Sequence, residues 1–405
     1  MRRGTNMPAV SSFNQSVVLE LIRNASSGIS KAEIAARSGL SDQTVSNAAR
    51  RLLADRLIIE AGTQVRGRGK PPVMLRLQPR SRFAVGVHLD PAVVTCVLID
   101  LAGEVVARRC LRAPLTAAPD EAVPAIAAEV RTLISDARID GSAVVGIGVA
   151  SPGPIDAAHG VILDPPLLPG WRDTPLRERL GAASGLPVLL EKDVNAAALA
   201  EIWVIGDAYR SDFAFFYLGS GIGIGLAVDR EVLRGTSGNA GDGGALVVPS
   251  QDQPRKRDSD MLGHVAAPHA LVAQAVDEGV LTRAEAPDLD AGYSELLRRA
   301  TAGDPGARAI VRRAGRNIAS GIVSVVNLLD IDDVVFGGPY WEPIAPLVLP
   351  DIRTLVDASP YRMTRKPVSL GSSAIGDDVA AIGAASLVLD TVLSPRPSTL
   401  LISSN

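Results

Sequence analysis

The chain is poor in the residues that build disulfide scaffolds and metal centres. Its 405 residues include two cysteines, Cys96 and Cys110, and four histidines, His88, His159, His264 and His269. Two thiols cannot make a disulfide framework or an all-cysteine zinc site, and the histidines stand at no metal-ligand spacing, so neither a structural metal nor any other cofactor is expected. Long apolar runs are also missing. The hydropathy comes from scattered Ala, Val and Leu, and nothing approaches the roughly 20 consecutive residues of a membrane helix. Met1-Arg2-Arg3 has the charge of a secretory leader, but Ser11, Ser12, Asn14, Gln15 and Ser16 follow where its apolar stretch belongs. A cytoplasmic protein without a membrane partner is the expectation. What is present is core material: 47% hydrophobic against 21% charged residues excludes a disordered chain, and the length calls for two or three folding units.

The net charge of −3 conceals a division. Residues 1–80 carry 13 Lys and Arg against 5 Asp and Glu, a net +8, and the remainder carries 28 against 39, a net −11. A basic head on an acidic body implies a small electrostatic docking module joined to a larger domain with another task.

Hydrophobic spacing in the head predicts three helices. Val17, Val18, Leu21, Ile22 and Ala25 share one face of the first, over about 15–25. Ser30-Lys31-Ala32-Glu33 is a capping box that starts a short second helix running to Ser38, and Gly39 supplies a tight turn. Ser41 caps a third, whose Val45, Ala48, Ala49, Leu52 and Leu53 face inward and whose Gln43, Ser46, Asn47 and Arg50 face out. Short polar and basic side chains at the start of such a helix suit base edges in a major groove, where Gln and Asn bond adenine and Arg bonds guanine. The combination describes a helix-turn-helix. Leu57–Ile59 and Val73–Leu75 then read as two strands of a wing whose tip, 66–72, holds Arg66, Arg68 and Lys70 without a carboxylate, as a minor-groove or phosphate contact requires. The candidate DNA-binding set is Gln43, Thr44, Ser46, Asn47, Arg50, Arg51, Arg66, Arg68 and Lys70, with double-stranded operator DNA as the partner.

The body begins with a three-stranded meander over 84–110 and continues with helices alternating with strands near 144–149, 187–190, 213–218 and 334–336, the pattern of an α/β domain with mixed sheets. Within it, Gly146-Ile147-Gly148-Val149-Ala150-Ser151-Pro152-Gly153-Pro154-Ile155-Asp156, Pro169-Gly170-Trp171, Asp193-Val194-Asn195-Ala196-Ala197-Ala198, Gly219-Ser220-Gly221-Ile222-Gly223 and Phe336-Gly337-Gly338 occur in order. In this order the motifs resemble the ROK family of sugar kinases and transcriptional repressors, and with the winged helix in front the likeness covers essentially the whole chain. The resemblance implies a fold class: an α/β chain with an N-terminal winged helix-turn-helix (1–80) followed by a two-lobed, ribonuclease-H-like domain of the actin/hexokinase type. Lobe 1 is expected over 81–194, completed by a C-terminal helix at 376–392, lobe 2 over 195–375, and a loose tail over 393–405.

Departures from the family pattern decide between its enzyme and regulator branches. ROK kinases place an Asp and a Gly-Gly-Thr turn in the first hairpin so that Mg²⁺ and phosphate reach bare backbone amides; here the positions hold His88, Asp90, Pro91 and Ala92. Proline has no amide proton, and Asp90 sets negative charge where phosphate would lie, so no catalytic residue and no enzymatic activity are expected. Gly219–Gly223 resembles a second phosphate loop but equally meets the needs of an ordinary hairpin, the reading preferred here. Asp193 matches the sugar-binding carboxylate, preceded by Lys192 where the family has Asn. In Ala240-Gly241-Asp242-Gly243-Gly244-Ala245, Asp242 and Ala245 replace the family's Glu and zinc-binding His, and the cysteine-rich loop is replaced by Pro254-Arg255-Lys256-Arg257-Asp258-Ser259-Asp260. The candidate effector-binding residues are Lys192, Asp193, Asn239 and Asp242. Lys192 and Arg255–Arg257 favour an anionic sugar derivative, or Lys192 merely neutralises Glu191 and Asp193; both readings stand. His264 and His269 read as structural.

The reading reached is a repressor whose degenerate kinase body binds a sugar, sugar phosphate or other metabolite and thereby resets two DNA-binding heads in a homodimer or homotetramer. A sugar kinase with an added DNA-binding head and an effector-independent regulator are the alternatives. The long helix near 307–329 is read as core.

Overall fold

The computed structural model describes residues 7–63, 72–91, 93–111, 118–166, 168, 170–205, 211–248, 261–364 and 366–393. Ala92, Pro169, the basic segment 254–260 and the tail from 394 lie outside them.

The head opens with α1 (Met7–Arg23), which begins earlier than the apolar spacing from Gln15 indicates. After β1 (Ile29–Ser30), the Ser30 hydroxyl accepts from the Glu33 amide at 3.2 Å while the Glu33 carboxylate accepts from the Ser30 amide at 3.1 Å, starting α2 (Lys31–Ser38) with the capping box read from sequence. Gly39 ends α2 at φ +69°, a left-handed conformation that suits glycine, and Ser41 then caps α3 (Asp42–Ala54). Val45, Ala48, Ala49 and Leu52 are buried with Val18 and Ile22 of α1 and Ile34 of α2 in one core. β2 (Ile58–Thr63) and β3 (Val73–Leu77) form the antiparallel wing. β1 pairs with the other edge of β3, giving the order β1-β3-β2. A strand of two residues has no periodicity to read, which is why the sequence does not announce it.

Lobe 1 is built on β4 (Phe83–Leu89), β5 (Val94–Asp100) and β6 (Val105–Leu111), an antiparallel meander, followed by α4 (Pro119–Asp136), β7 (Val144–Ser151), the small hairpin of β8 (Ile155–Asp156) and β9 (Val161–Ile162), α5 (Leu176–Ser184), β10 (Val188–Lys192) and α6 (Asp193–Ala200). Its sheet order is β10-β7-β4-β5-β6, with β4, β7 and β10 parallel. Lobe 2 repeats the plan with β11 (Phe213–Leu218), β12 (Ile222–Val228), β13 (Glu231–Val232), helices α7 (Leu262–Ala266), α8 (Pro268–Asp277), α9 (Leu289–Ala302) and α10 (Pro305–Leu329), β14 (Asp333–Gly337), α11 (Trp341–Asp357) and β15 (Ser369–Ser372), in the order β13-β12-β11-β14-β15. Two sheets with one topology, three antiparallel strands continued by parallel ones, give the ribonuclease-H-like, actin/hexokinase-type body expected. The long helix is core: Ile310, Val311, Ala314, Ile318, Ile322 and Val325 of α10 are all buried.

The last helix, α12 (Val379–Leu393), returns to lobe 1 and packs on β4, β7, β5 and α6. Gly86 and Gly148 open the sheet face beneath it; a Cβ on either would overlap the Ala381 or Ala384 carbonyl of the helix. α6 lies between the lobes, so the boundary expected at 194/195 falls inside this helix. Its apolar residues join those of α12 and of the head in one continuous cluster, which seats the head directly on the body. Among the described residues no helix is long and apolar enough to cross a membrane.

Candidate functional site

On the head, α3 presents Gln43, Asn47, Arg50 and Arg51 to solvent, with Thr44 and Ser46 half-buried beside them. The Gln43 amide donates to Asn47 Oδ1 at 3.2 Å, so the two side chains hold each other on the exposed face. Thr44 serves the cap instead: its amide donates to Ser41 Oγ at 3.2 Å, and the two hydroxyls lie 2.9 Å apart. Arg66, Arg68 and Lys70 lie outside the described residues.

Between the lobes runs a cleft of about 580 Å³. The β4–β5 turn supplies Asp90 and Pro91; from the other lobe, Leu218 of β11 pairs with Ile222 of β12, so Gly219–Gly221 is the tip of the β11–β12 hairpin preferred from sequence. The same tip also lines the cleft. The Ser220 hydroxyl stands 3.4 Å from both Asp90 carboxylate oxygens, and His88 Nε2 lies 3.3 Å from the Tyr217 hydroxyl, so each hairpin of one lobe is tied to the other. Asp90 is 4% exposed. A buried carboxylate against a glycine-rich tip repels the phosphate that such a tip otherwise holds. His264 and His269, read as structural, both line this cleft, and His269 Nδ1 is 2.7 Å from the Ser220 carbonyl. Nothing in their sequence surroundings signals this; the fold brings His269 to Ser220 from 49 residues away.

The end of the cleft that holds the expected effector residues starts at the β10–α6 junction. Lys192 is buried, and its ammonium donates to the main-chain carbonyls of Asn239 at 3.2 Å and Ala240 at 3.4 Å. Glu191 is matched by Arg234, whose Nε donates to it at 2.6 Å, and it also accepts from the Asn195 amide at 3.0 Å. Of the alternative in which Lys192 neutralises Glu191 and Asp193, the first half is taken over by Arg234, while the Lys192 charge does act on Asp193. Asn239 clamps the lobes, since Oδ1 accepts from the Ile155 amide at 2.8 Å and Nδ2 donates to the Ile155 carbonyl at 2.7 Å. Asp242 is exposed at the cleft mouth. All four expected effector residues thus line one cavity, with Lys192 and Asn239 engaged in shaping it.

Asp193 opens α6, and its carboxylate accepts from the Val194 amide at 2.7 Å. Loss of hydration raises its pKa above the ordinary carboxylate range, against the lowering pull of His88 and Lys192. A carboxyl whose folded pKa lies above its unfolded one favours the folded state when protonated and opposes it when ionised, so stability falls as pH rises through that window. Asp193→Asn is expected to raise the melting temperature at pH 7, with the gain vanishing near pH 3, where the native carboxyl is also neutral. Melting curves of both proteins across pH check this; a gain that persists undiminished at low pH contradicts the assignment.

A winged helix-turn-helix seated on a two-lobed body, with a cleft whose phosphate turn is occupied by Pro91 and Asp90, defines a class: a regulator-type chain built on a sugar-kinase fold. The chain belongs to the ROK family, whose model matches residues 84–391. The xylose repressor of Bacillus subtilis (strain 168) is 25% identical to it over 386 residues, covering 95% of this chain and 97% of its own. The glucokinase of Halalkalibacterium halodurans is 27% identical over 323 residues, covering 76% of this chain and 95% of its own. The crystal structure of a ROK family transcriptional regulator, a homologue of the E. coli Mlc protein, has the same fold at a TM-score of 0.76 and 22% identity, with 95% of this chain and 98% of that one covered. The repressor and the regulator match through the head as well as the body, and the kinase through three quarters of the chain.

Proposed function

We propose that this chain is a sugar-responsive transcriptional repressor that has no phosphotransferase activity. The observation that carries the reading is the pairing of an exposed Gln43–Asn47–Arg50 face on α3 with a cleft in which Asp90 and Pro91 replace the phosphate-binding turn. Operator DNA is held by α3 in the major groove and by the wing through Arg66, Arg68 and Lys70; Thr44 shapes the start of the helix. A homodimer is the working assembly, because a single head reads few base pairs and a paired site multiplies specificity. The effector occupies the cleft against Asp193 and Asp242, with Asn239 and Lys192 setting the loop around it. Among the described residues three carboxylates, Asp90, Asp193 and Asp242, face the cavity while the Lys192 ammonium is held by carbonyls, which favours a neutral polyhydroxyl ligand over the anionic one that Lys192 and Arg255–Arg257 suggest in sequence. The name of the B. subtilis relative makes D-xylose the first sugar to test.

The test is direct: the full-length protein retains duplexes from a random-sequence library, releases them on addition of D-xylose or another neutral sugar, and turns over no ATP with any of them. Sugar-dependent ATP hydrolysis would establish the kinase reading that the glucokinase relative keeps open. For the head, Asn47→Ala or Arg50→Ala is expected to cost about 1–3 kcal/mol on the selected duplex and to relax its sequence preference. Replacing Arg66, Arg68 and Lys70 together with alanine should weaken binding to every duplex and flatten the salt dependence, with the slope of log K against log salt falling by about one for each phosphate-bound cation removed. Binding titrations at several salt concentrations separate the two patterns, and identical losses on all sequences from both sets would sink the assigned roles.

A further inference from the structure

We infer that Trp203 and Arg23 form the joint through which occupation of the cleft is conveyed to the DNA-binding head, an inference that rests on the sugar-responsive reading above. Two routes leave the cleft and converge on one stretch of α1. The first is α6. Its first residue, Asp193, lines the cavity, and every residue from Val194 to Ala200 is buried, wedged against α12, β11 and β12. A helix so enclosed cannot bend locally and transmits displacement as a rod, about 12 Å long for eight residues. Its far end passes into a π-helical turn, Glu201–Ile205, which brings Trp203 against α1. There the Arg23 guanidinium lies 4.0 Å from the indole centroid and donates to the Trp203 carbonyl.

The second route is the segment leading back from the cleft residues Asp242 and Asn239. It passes Arg234, held to Glu191 at the root of α6, and reaches the β12–β13 turn, where Arg230 pairs with Glu20 of α1 at 3.8 Å. Glu20 and Arg23 occupy the last turn of α1, immediately before the helix-turn-helix proper. At this seam the packing opens into a cavity of about 320 Å³ lined by Trp203, Arg230 and Arg234 from the body and Glu20 and Arg23 from the head. Close packing transmits force, and the open volume leaves α1 room to shift, so a small displacement of Asp193 is converted into a tilt of the head. Ser16, whose hydroxyl donates to the Leu393 carbonyl at 2.9 Å, gives α1 its pivot on α12.

The experiment uses the full-length protein, a duplex selected by the wild type from a random-sequence library, and D-xylose and D-glucose as probes, with the variants Trp203→Leu, Arg23→Gln and Trp203→Phe. In the wild type, sugar is expected to weaken DNA binding about fivefold or more, and in Trp203→Leu and Arg23→Gln by less than about twofold. Sugar affinity of the free protein and DNA affinity without sugar should each stay within roughly threefold of wild type, because neither residue touches sugar or DNA. Trp203→Phe keeps an aromatic face for Arg23 and should retain most of the response. A sugar-induced change in tryptophan emission should be present in the wild type and absent from Trp203→Phe, in which Trp171 and Trp341 remain. Release by sugar that is undiminished in both Trp203→Leu and Arg23→Gln overturns the inference while leaving the repressor reading intact; should Trp203→Leu fail to fold, Arg23→Gln decides alone. A wild type that binds the duplex and ignores every sugar sinks the sugar-responsive reading, and this inference falls with it.

Discussion

Gly148→Ala is expected to destabilise lobe 1 by about 3 kcal/mol, at the upper end of the usual cost of overpacking a close-packed core. The added methyl would overlap the Ala384 carbonyl of α12, and backbone on both sides of the contact leaves no flexible side chain to give way. At roughly 2–4 °C per kcal/mol for a domain of this size, the melting temperature should drop by about 6–12 °C. Because α12 also packs on α6, the loss should reach the cleft, and sugar affinity should decline with stability. Thermal melts with and without sugar measure both quantities. A variant that melts with the wild type would mean that α12 does not lie on β7 as described.

The second large effect concerns the ion pair behind the cleft floor. The Glu191 side chain is 3% exposed and that of Arg234 is 23% exposed, with Nε and Oε2 at 2.6 Å. Removing Arg234 leaves a carboxylate with almost no water and no counterion, and removing Glu191 leaves a guanidinium that only partly reaches water, against a loss of about 3–5 kcal/mol for a fully buried pair. Arg234→Met or Glu191→Met alone should therefore be severely destabilised. The double variant Glu191→Met/Arg234→Met should recover much of the loss, because apolar side chains of similar volume remove both desolvation costs together. Chemical denaturation of the two single variants and the double variant tests this. Additive losses in the double variant would show that the pair is not coupled.

The head is legible almost residue by residue because its signals are local. A capping box, a left-handed glycine and a helical hydrophobic stripe each act within four residues, and α2, α3 and the inward set Val45, Ala48, Ala49 and Leu52 stand where those signals place them. The longer strands β4, β5, β6, β7, β10, β11 and β14 are legible for the same reason, as short apolar runs bounded by turns, whereas β8, β9, β13 and β15 are too short or too polar to announce themselves. Roles within the cleft are not. Asn239 reads as an effector residue in sequence and is found clamping Ile155 across the lobes; Lys192 reads two ways and is found holding carbonyls of the 239–240 loop; His264 and His269 read as structural and line the cavity. For Lys192, His269 and Asn239 the partner lies 47, 49 and 84 residues away in sequence.

By itself, the sequence determined the winged head and an α/β body with mixed sheets, through residue type and short-range spacing; the two lobes, the family and the departure from its phosphate turn at Asp90 and Pro91 came from the resemblance to the ROK pattern. Only the tertiary structure decided that Arg234 rather than Lys192 neutralises Glu191, that α6 belongs to both lobes, and that the body and the head meet at Trp203 and Arg23. The physical reason is that hydrogen bonds and charges are paired by proximity in space, and in a two-lobed fold that proximity is set by how the sheets and α12 close on one another, which no local pattern encodes.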